Sequence, residues 1–445
     1  MSFQINLPEY VLTAMKKLEE NGFTAFAVGG CVRDSIMGKE AHDWDMTTSA
    51  TPEETLEVFK SFRTVPTGIK HGTVTVLVDK HPLEITTFRI DGDYKDNRRP
   101  ESVKFTRNIE NDLSRRDFTV NAMAFNKKDG IVDLFGGCED IDNKIIRSVG
   151  DPDCRFNEDA LRIMRALRFS ATLGFKIEEK TSESIKRNKH LLKNIASERI
   201  RIELEKLIMG DDAERILLRF SDVIFEIIPE LKSTEGLAQN CPYHIYDVYR
   251  HIVKSIALSK KDKYVRLAML LHDIAKPDAK TTDENGIDHF KCHASLSADK
   301  ANEILKRLRY DKKTISLVTK LILHHDDRLY ENPRSIKKHA SKHGFEFLYL
   351  LDEVSRADIL AQNPSMTDRI ALCDNYINEL KSLENETPCL KISDLKIDGN
   401  DLIRLGFSGK EIGEKLEFLL DRVIKNEVEN NREELIKLSE ALTSI

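Results

Sequence analysis

Residues 26–48 read FAVGGCVRDSIMGKEAHDWDMTT. An apolar run, Phe26-Ala27-Val28, breaks into Gly29-Gly30, and Arg33-Asp34 follows. The stretch closes on Asp43-Trp44-Asp45. Side chains two apart on a strand project to the same face. On a strand, Asp43 and Asp45 would converge on one point, where a hard divalent cation satisfies both. The glycines let backbone come close to a ligand, and triphosphate oxygens are the natural candidate. Arg33 could then meet those oxygens as a planar fork. Taken singly, Gly-Gly marks a turn and Asp-x-Asp a solvated loop or cap. Their order within one short stretch describes a site for a metal-bound nucleotide.

The same residues resemble a known family, the nucleotidyltransferases that comprise tRNA CCA-adding enzymes and bacterial poly(A) polymerases. That family's pattern is GG-x-VRD, then a Gly, then D-x-D-x-x-T. Gly29-Gly30, Val32-Arg33-Asp34, Gly38, Asp43, Asp45 and Thr48 fit it. The resemblance implies an α/β nucleotidyltransferase head, a mixed sheet with helices, over residues 1–150. It implies that Asp43 and Asp45 are catalytic and hold two Mg²⁺ ions about 3.5–4 Å apart. Gly30 and Arg33 would contact the nucleotide.

Working outward, residues 8–22 carry helical periodicity (Val11, Leu12, Met15, Leu18) and stop at Asn21-Gly22. Thr51-Pro52-Glu53-Glu54 opens a short helix with Pro near its start. His71 to Arg89 alternates as two strands of a hairpin, with the break read at His81-Pro82. Glu84 on the second strand is either a third acid near the metal or part of a solvated face. Residues 91–106, DGDYKDNRRPESVKFT, read as a mobile loop. They resemble the family's flexible loop through Tyr94, Asp96, Arg98-Arg99-Pro100, Val103 and Phe105, which argues against an enzyme adding only CC.

NDLSRRDFTVNAMAF follows and matches the family's DL-x-RRDFT-x-NA. By themselves, Arg115-Arg116 beside Asp117 describe a surface ion pair worth less than about 1 kcal/mol. The resemblance instead places Arg116 at the nucleotide and makes Asp112 a candidate supporting acid. Residues 131–150 read as a final strand and turn. A helix is expected from Asn157, a good N-cap, through EDALRIMRALRFSATLGF. Asp159 and Arg162 are then i,i+3 neighbours, with Arg165 and Arg168 at the same spacing. An isolated helix of this kind would only complement its dipole and solvate its arginines. The family motif ED-x-x-R implies more: Asp159 and Arg162 read the Watson–Crick edge of C and A, and Arg165 and Arg168 contact the nucleotide. Residues 151–240 form an all-α neck with RNA-binding surface, ERIRIELEKLI being its clearest amphipathic segment.

From 241 the histidines cluster. The order His251, His272-Asp273, His293, His324 and Asp358 resembles the HD superfamily of metal-dependent phosphohydrolases. LAMLLHDIAKP is apolar up to the pair, which favours a protected pocket where imidazole and carboxylate bind metal well. His289 and His325 read as core or surface groups as readily as ligands. The resemblance implies an HD-type helical domain over 241–344, a possible second divalent metal there, and an activity left open. Residues 345–445 are a helical tail in which G-x-DL precedes LG-x-x-G-x-x-IG. Gly406, Gly409 and Gly413 would open a loop into a helix whose amides meet a phosphate, or simply cap a bundle helix. In the family this end grips the tRNA.

Composition fits this organisation. A chain of 445 residues is too long for one core. No apolar run approaches the roughly 20 residues of a membrane helix, and MSFQINLPEY lacks the basic start and apolar block of a signal peptide. The seven cysteines are odd in number with no CxxC pair, which predicts reduced thiols in the cytoplasm and no structural zinc. Lys+Arg 69 against Asp+Glu 75 gives a net charge of −6, so RNA must be held by local basic surface. The expected function is template-independent addition of C, C and A to the tRNA 3′ end from CTP and ATP, with release of pyrophosphate. The rivals are an A-adding enzyme, a poly(A) polymerase, and an additional HD-type phosphohydrolase activity. The VPTGIKHGTVTVLV segment favours CCA addition over poly(A) synthesis, because the polymerases tend to carry a basic GRRF-type segment there.

Overall fold

The Phe26-Ala27-Val28 run lies in a fully buried strand, β1 (Ala25–Val28), inside a seven-stranded sheet. The computed structural model describes residues 5–41, 43–92, 102–331 and 335–441. They divide into two units: Met1–Lys232 with Arg307–Arg309, and Ser233–Lys306 with Tyr310–Ile445.

In the first unit α1 (Glu9–Glu20) buries Val11, Ala14, Met15 and Leu18 and stops before Gly22, whose φ is +85°. After β1 come α2 (Gly30–Ile36), β2 (Asp45–Thr48) and α3 (Pro52–Val58). The start of α3 is a capping box between Thr51 and Glu54, so two orphan donors are satisfied reciprocally. Strands β3 (Arg63–Gly68), β4 (Thr73–Val78) and β5 (His81–Thr87) complete one side of the sheet. The hairpin between β4 and β5 turns at Asp79-Lys80, both at positive φ, rather than at His81-Pro82. His81 faces Val78 and Pro82 faces Leu77 across the ladder. Proline is tolerated because β2 pairs with β5 only from Glu84 onward, so its missing N–H interrupts no second ladder.

Short strands β6 (Arg89–Asp91) and β7 (Val103–Phe105) pair antiparallel. The ends of the segment read as a loop are therefore a ladder, while Tyr94, Asp96, Arg98, Arg99 and Pro100 lie outside the described residues. Next come α4 (Ile109–Ser114), β8 (Met123–Asn126) and β9 (Gly130–Asp133). The sheet order is β3-β4-β5-β2-β1-β8-β9. It is mixed: β2 runs parallel to β5 and antiparallel to β1.

Beyond β9 the expected turn is a helix, α5 (Gly137–Asp142). Asp133 explains it, because its carboxylate accepts from the Gly137 and Cys138 amides at 2.8 Å each. The helix expected from Asn157 is two helices after β10 (Ile145–Ile146): α6 (Pro152–Glu158) and α7 (Leu161–Leu173). The true cap is Asp151, followed by Pro152, and Asp159 breaks the path with φ −139° and ψ 102°. Strand β11 (Lys176–Ile177) pairs with β10, and α8 (Glu179–Asn188), α9 (Ser197–Ile208), α10 (Ala213–Arg219) and α11 (Ser221–Ile227) follow.

The second unit is mainly helical. Its elements are α12 (Val248–Leu258), α13 (Lys263–Leu271), α14 (Lys276–Ala279), α15 (His293–Arg307), α16 (Lys312–His324), α17 (Ile336–His343) and α18 (Phe345–Leu360). A two-stranded hairpin, β12 (Lys280–Thr282) with β13 (Asp288–Phe290), interrupts the helices. Every residue of α13 from Val265 to Leu271 is buried. The unit continues with α19 (Arg369–Asn385), α20 (Gly399–Arg404), α21 (Lys410–Ile424) and α22 (Arg432–Ala441). Leu402, Phe407, Leu419 and Leu435 form the core around α20, α21 and α22. Gly406 and Gly409 make the loop before α21, whereas Gly413 lies within that helix. Among the described residues no helix is long and apolar enough to cross a membrane.

Gly210 permits a close approach to α7: a Cβ there would stand 2.6 Å from the Ala171 carbonyl oxygen. Gly210→Ala is expected to cost about 1–3 kcal/mol, the usual range for overpacking, read as a lower urea midpoint of the first unit. A midpoint equal to wild type would show that the backbone yields freely.

Candidate functional site

Only one of the two expected metal-binding aspartates lies on a strand. Asp45 opens β2, and Asp43 sits two residues earlier in a bend. Trp44 between them is buried, while both carboxylates remain accessible. The parallel register places Glu84 of β5 opposite Asp45, which makes Glu84 a third acid of the group. Desolvation and the Glu84 charge lift the Asp45 carboxyl to about 6, with Arg116 opposing and Asp43 adding to the rise. Three oxygen-donor side chains brought together in this way fit a hard divalent cation.

The backbone beside them is shaped for close approach. Gly29 has φ +85°, and a Cβ there would come within 3.2 Å of Arg116 Nη1. Gly30 begins α2, which carries Arg33. Arg33 is nearly buried; its Nε and Nη2 donate to Asp34 at 2.9 and 2.8 Å, and Nη1 donates to Asn121 at 2.6 Å. Arg116 pairs with Asp112 at 3.3 Å. Asp112 also accepts from Arg115 at 2.6 Å and from the Thr47 hydroxyl at 3.2 Å. Asp112 is fully buried, so it holds the arginines and is not a supporting acid facing the metal. Asp117, likewise, meets Arg165 at 2.6 Å rather than Arg115 or Arg116.

Helix α7 brings the remaining arginines in. Arg165 and Arg168 stand over the Phe169 ring at 5.4 and 3.7 Å from its centre, and Arg33 approaches the same ring at 5.2 Å. Glu203 of α9 accepts from Arg168 at 2.9 Å. Arg33, Arg165 and Arg168 thus form a cationic cluster around one aromatic ring, each fork held by a neighbouring carboxylate or amide.

Asp159 and Arg162 do not form a pair with each other. Asp159 lies at the junction of α6 and α7, accepting from Arg199 at 2.8 Å and from the Leu161 amide at 3.1 Å. Arg162 donates to Glu158 at 2.6 Å and to the Arg115 carbonyl at 2.8 Å. Sequence reading did not single out Asn121, Phe169, Arg199 or Glu203. The signal for Glu203 was present, because it shares the apolar face of α9 with Ile200, Leu204 and Leu207, and an acid on such a face needs a buried partner.

A second constellation forms in the other unit. His251 of α12 has Nε2 2.9 Å from Asp358 of α18 and 3.3 Å from His272 Nε2. His293 opens α15, its Nε2 3.1 Å from His325 Nε2. Asp273, 1% exposed, lies among them. His324, expected as a ligand, faces elsewhere: its Nδ1 meets Asp327 at 2.7 Å and its ring lies against His343. One residue along a helix turns a side chain by roughly 100°, so His325 enters the cluster in its place. His289 pairs with Asp283 at 2.9 Å outside it. Burial opposes a charge on His272, but Asp273 and Asp358 lift it to about 10.

Family descriptions match in three places: "Poly A polymerase head domain" over residues 25–147, "Probable RNA and SrmB-binding site of polymerase A" over 174–234, and "tRNA nucleotidyltransferase domain 2 putative" over 280–438. The chain is 36% identical to a CCA-adding enzyme of Lactobacillus helveticus over 98% of both chains. It is 35% identical to one of Ligilactobacillus salivarius, again over 98% of both. A crystal structure of the Bacillus stearothermophilus CCA-adding enzyme in complex with CTP superimposes with a TM-score of 0.74, at 27% identity over 98% of each chain.

The Asp112 network gives a pH-dependent test. Burial opposes ionisation of Asp112, and Arg116 and Arg115 overcome it to hold the carboxyl below its usual range. Its contribution is therefore complete above about pH 4 and lost as pH falls through the lower folded value. Asp112→Ala is expected to lose about 3–5 kcal/mol at pH 7, as when one partner of a buried ion pair is removed. Urea unfolding should show the two proteins converging on acidification. A difference independent of pH would mean the charge is not what stabilises.

Proposed function

This chain belongs to the CCA-adding enzymes, and from that membership we propose that it adds C, C and A to the 3′ end of tRNA without a nucleic-acid template, using CTP and ATP and releasing pyrophosphate. The observation that carries this reading is the meeting of three acids with a cluster of arginines inside one unit. Asp43 and Asp45, with Glu84 beside them, would hold Mg²⁺, two ions in the full arrangement, which when bound activate the tRNA 3′-hydroxyl and neutralise the departing pyrophosphate.

Arg33, Arg116, Arg165 and Arg168 bind the triphosphate as planar forks, and Gly30 lets the backbone approach it. Asn121, Asp112, Asp117 and Glu203 hold those forks, so little side-chain order remains to be gained on binding. Asp159 and Arg162 read the base. The aspartate accepts from the amino group that C and A both carry, and the arginine donates to ring acceptors. G and U lack that amino group in the matching place and forgo the hydrogen bond to Asp159. Arg199 orients Asp159 for this task. The neck (151–240) and tail (345–445) hold the tRNA, and the reaction belongs in the cytoplasm.

The second constellation supports a further reading. His251, His272, Asp273, His293 and Asp358, with His325 in place of His324, bind a divalent cation in the HD-type region, and a metal-dependent phosphohydrolase activity would reside there.

Tailing of tRNA transcripts ending at the discriminator base, at C and at CC, each with CTP, ATP or both, tests the main reading. Addition of C, C and A followed by arrest is expected, with none by Asp43→Ala. A single A added only to the CC-ended transcript would make the chain an A-adding enzyme, and a long A tail would make it a poly(A) polymerase. Arg33→Ala should raise the apparent KM for both nucleotides by roughly 10- to 100-fold, the loss of a charge-assisted contact worth about 1.5–3 kcal/mol. Unchanged KM for CTP and ATP would remove Arg33 from the triphosphate.

A further inference from the structure

Three arginines of the first unit share one aromatic ring. Phe169 of α7 is 6% exposed, and the Cζ atoms of Arg168, Arg33 and Arg165 stand 3.7, 5.2 and 5.4 Å from its centre. Arg165 and Arg168 belong to the same helix as the ring, whereas Arg33 arrives from α2. Phe118 meets Phe169 edge to face, with ring centres 5.9 Å apart and planes at 81°. Next to it, Asp117 Oδ2 accepts from Arg165 Nε at 2.7 Å and lies 2.6 Å from Nη2. The segment Asp117-Phe118 thus fixes the ring and one of its cations together.

The carboxylates and the ring act on different parts of each guanidinium. Asp34, Asp117 and Glu203 accept N–H bonds in the guanidinium plane, while an aromatic face attracts a cation through its quadrupole. The two differ in their effect on an incoming anion. A further carboxylate among the arginines would repel a triphosphate, and like charges repel far more in a desolvated site than in water. A ring carries no charge, so it draws the cations together and leaves their attraction for phosphate in place. Arg168 has the most need of it. Burial holds its pKa below the ordinary arginine value, with Arg165 and Arg33 pressing the same way and Glu203 and Asp117 opposing. It is also the nearest of the three to the ring centre.

Resting on the reading that these arginines bind the nucleotide triphosphate, we propose that Phe169 is a positioning residue for the nucleotide: its ring gathers Arg33, Arg165 and Arg168 into one triphosphate-binding surface. It acts through the arginines, which meet the part that CTP and ATP have in common, so both nucleotides depend on it equally. An aliphatic side chain would fill much of the same space against Phe118 but supply no quadrupole.

Ring fluorination separates this role from packing, because each fluorine withdraws charge from the aromatic face while adding little bulk. Full-length protein is prepared with phenylalanine carrying one, two or three ring fluorines at position 169. KM and kcat are measured for CTP on transcripts ending at the discriminator base and for ATP on transcripts ending in CC. Binding of CTP and of ATP is followed separately by calorimetry. The apparent KM and the Kd should climb stepwise with fluorine number, in parallel for both nucleotides and with kcat little changed, the pattern of lost uniform binding. Phe169→Leu should raise both about 5- to 30-fold, the loss of cation–π attraction in a desolvated site. Values that stay flat across the fluorinated series would overturn the proposal and leave triphosphate binding by the arginines intact. A rise for one nucleotide alone would also overturn it, since the ring would then act on a base. Binding that follows the series in a protein that adds no nucleotide would uphold Phe169 and overturn the CCA-adding reading. Binding of neither nucleotide would overturn both. The fluorinated series decides even where Phe169→Leu does not fold.

Discussion

Buried carboxylates hold the arginines of the first unit. Asp112 has no exposure, yet it engages Arg115, Arg116 and the Thr47 hydroxyl. Asp117 does the same for Arg165 and Glu203 for Arg168. A guanidinium brought near two others around Phe169 would be driven apart or into solvent without such partners. Each acid therefore offsets repulsion locally while leaving part of the fork to face outward. Replacing these pairs by apolar residues would stabilise as well or better by burial alone, but it would discard the orientation that anion binding needs.

The same constraint explains the break between α6 and α7. The extended backbone at Asp159 separates α6 from α7 and takes its carboxylate out of a helical row. Across that junction Arg162 meets Glu158 and the Arg115 carbonyl, while Asp159 reaches Arg199. Local sequence gives little sign of this, since Asn157-Glu158-Asp159 is an acceptable helix start. The competing start, Asp151 followed by Pro152, is the stronger signal because proline at the first helical position loses no hydrogen bond.

Much of the head was legible because its elements are specified by short-range chemistry. Alternation dictated β4 and β5, periodicity dictated α1, and Thr51-Pro52-x-Glu54 dictated α3. The acid pair was legible as well, although Asp43 reaches its place from a bend. What the sequence left open or missed were partners set by tertiary approach: the choice for Glu84 between third acid and solvated face depends on strand order, and Asn121 beside Arg33 on contact between segments 88 residues apart. The choice of His325 over His324 is a matter of helical phase at the end of α16. Two adjacent histidines fix that phase no better than one, so only the packed helix decides.

The two constellations also differ in donor chemistry, and this bears on how one chain keeps them separate. The first offers accessible carboxylate oxygens, a set that suits a hard, strongly hydrated cation arriving with a polyphosphate. The second offers four imidazole nitrogens and two carboxylates, nearly all buried, donor types whose chemistry suits borderline transition metals. A cation preferred by one is a poor competitor at the other. Selectivity of this kind needs no contact between the sites; it follows from oxygen against nitrogen as the donor and from open against enclosed surroundings.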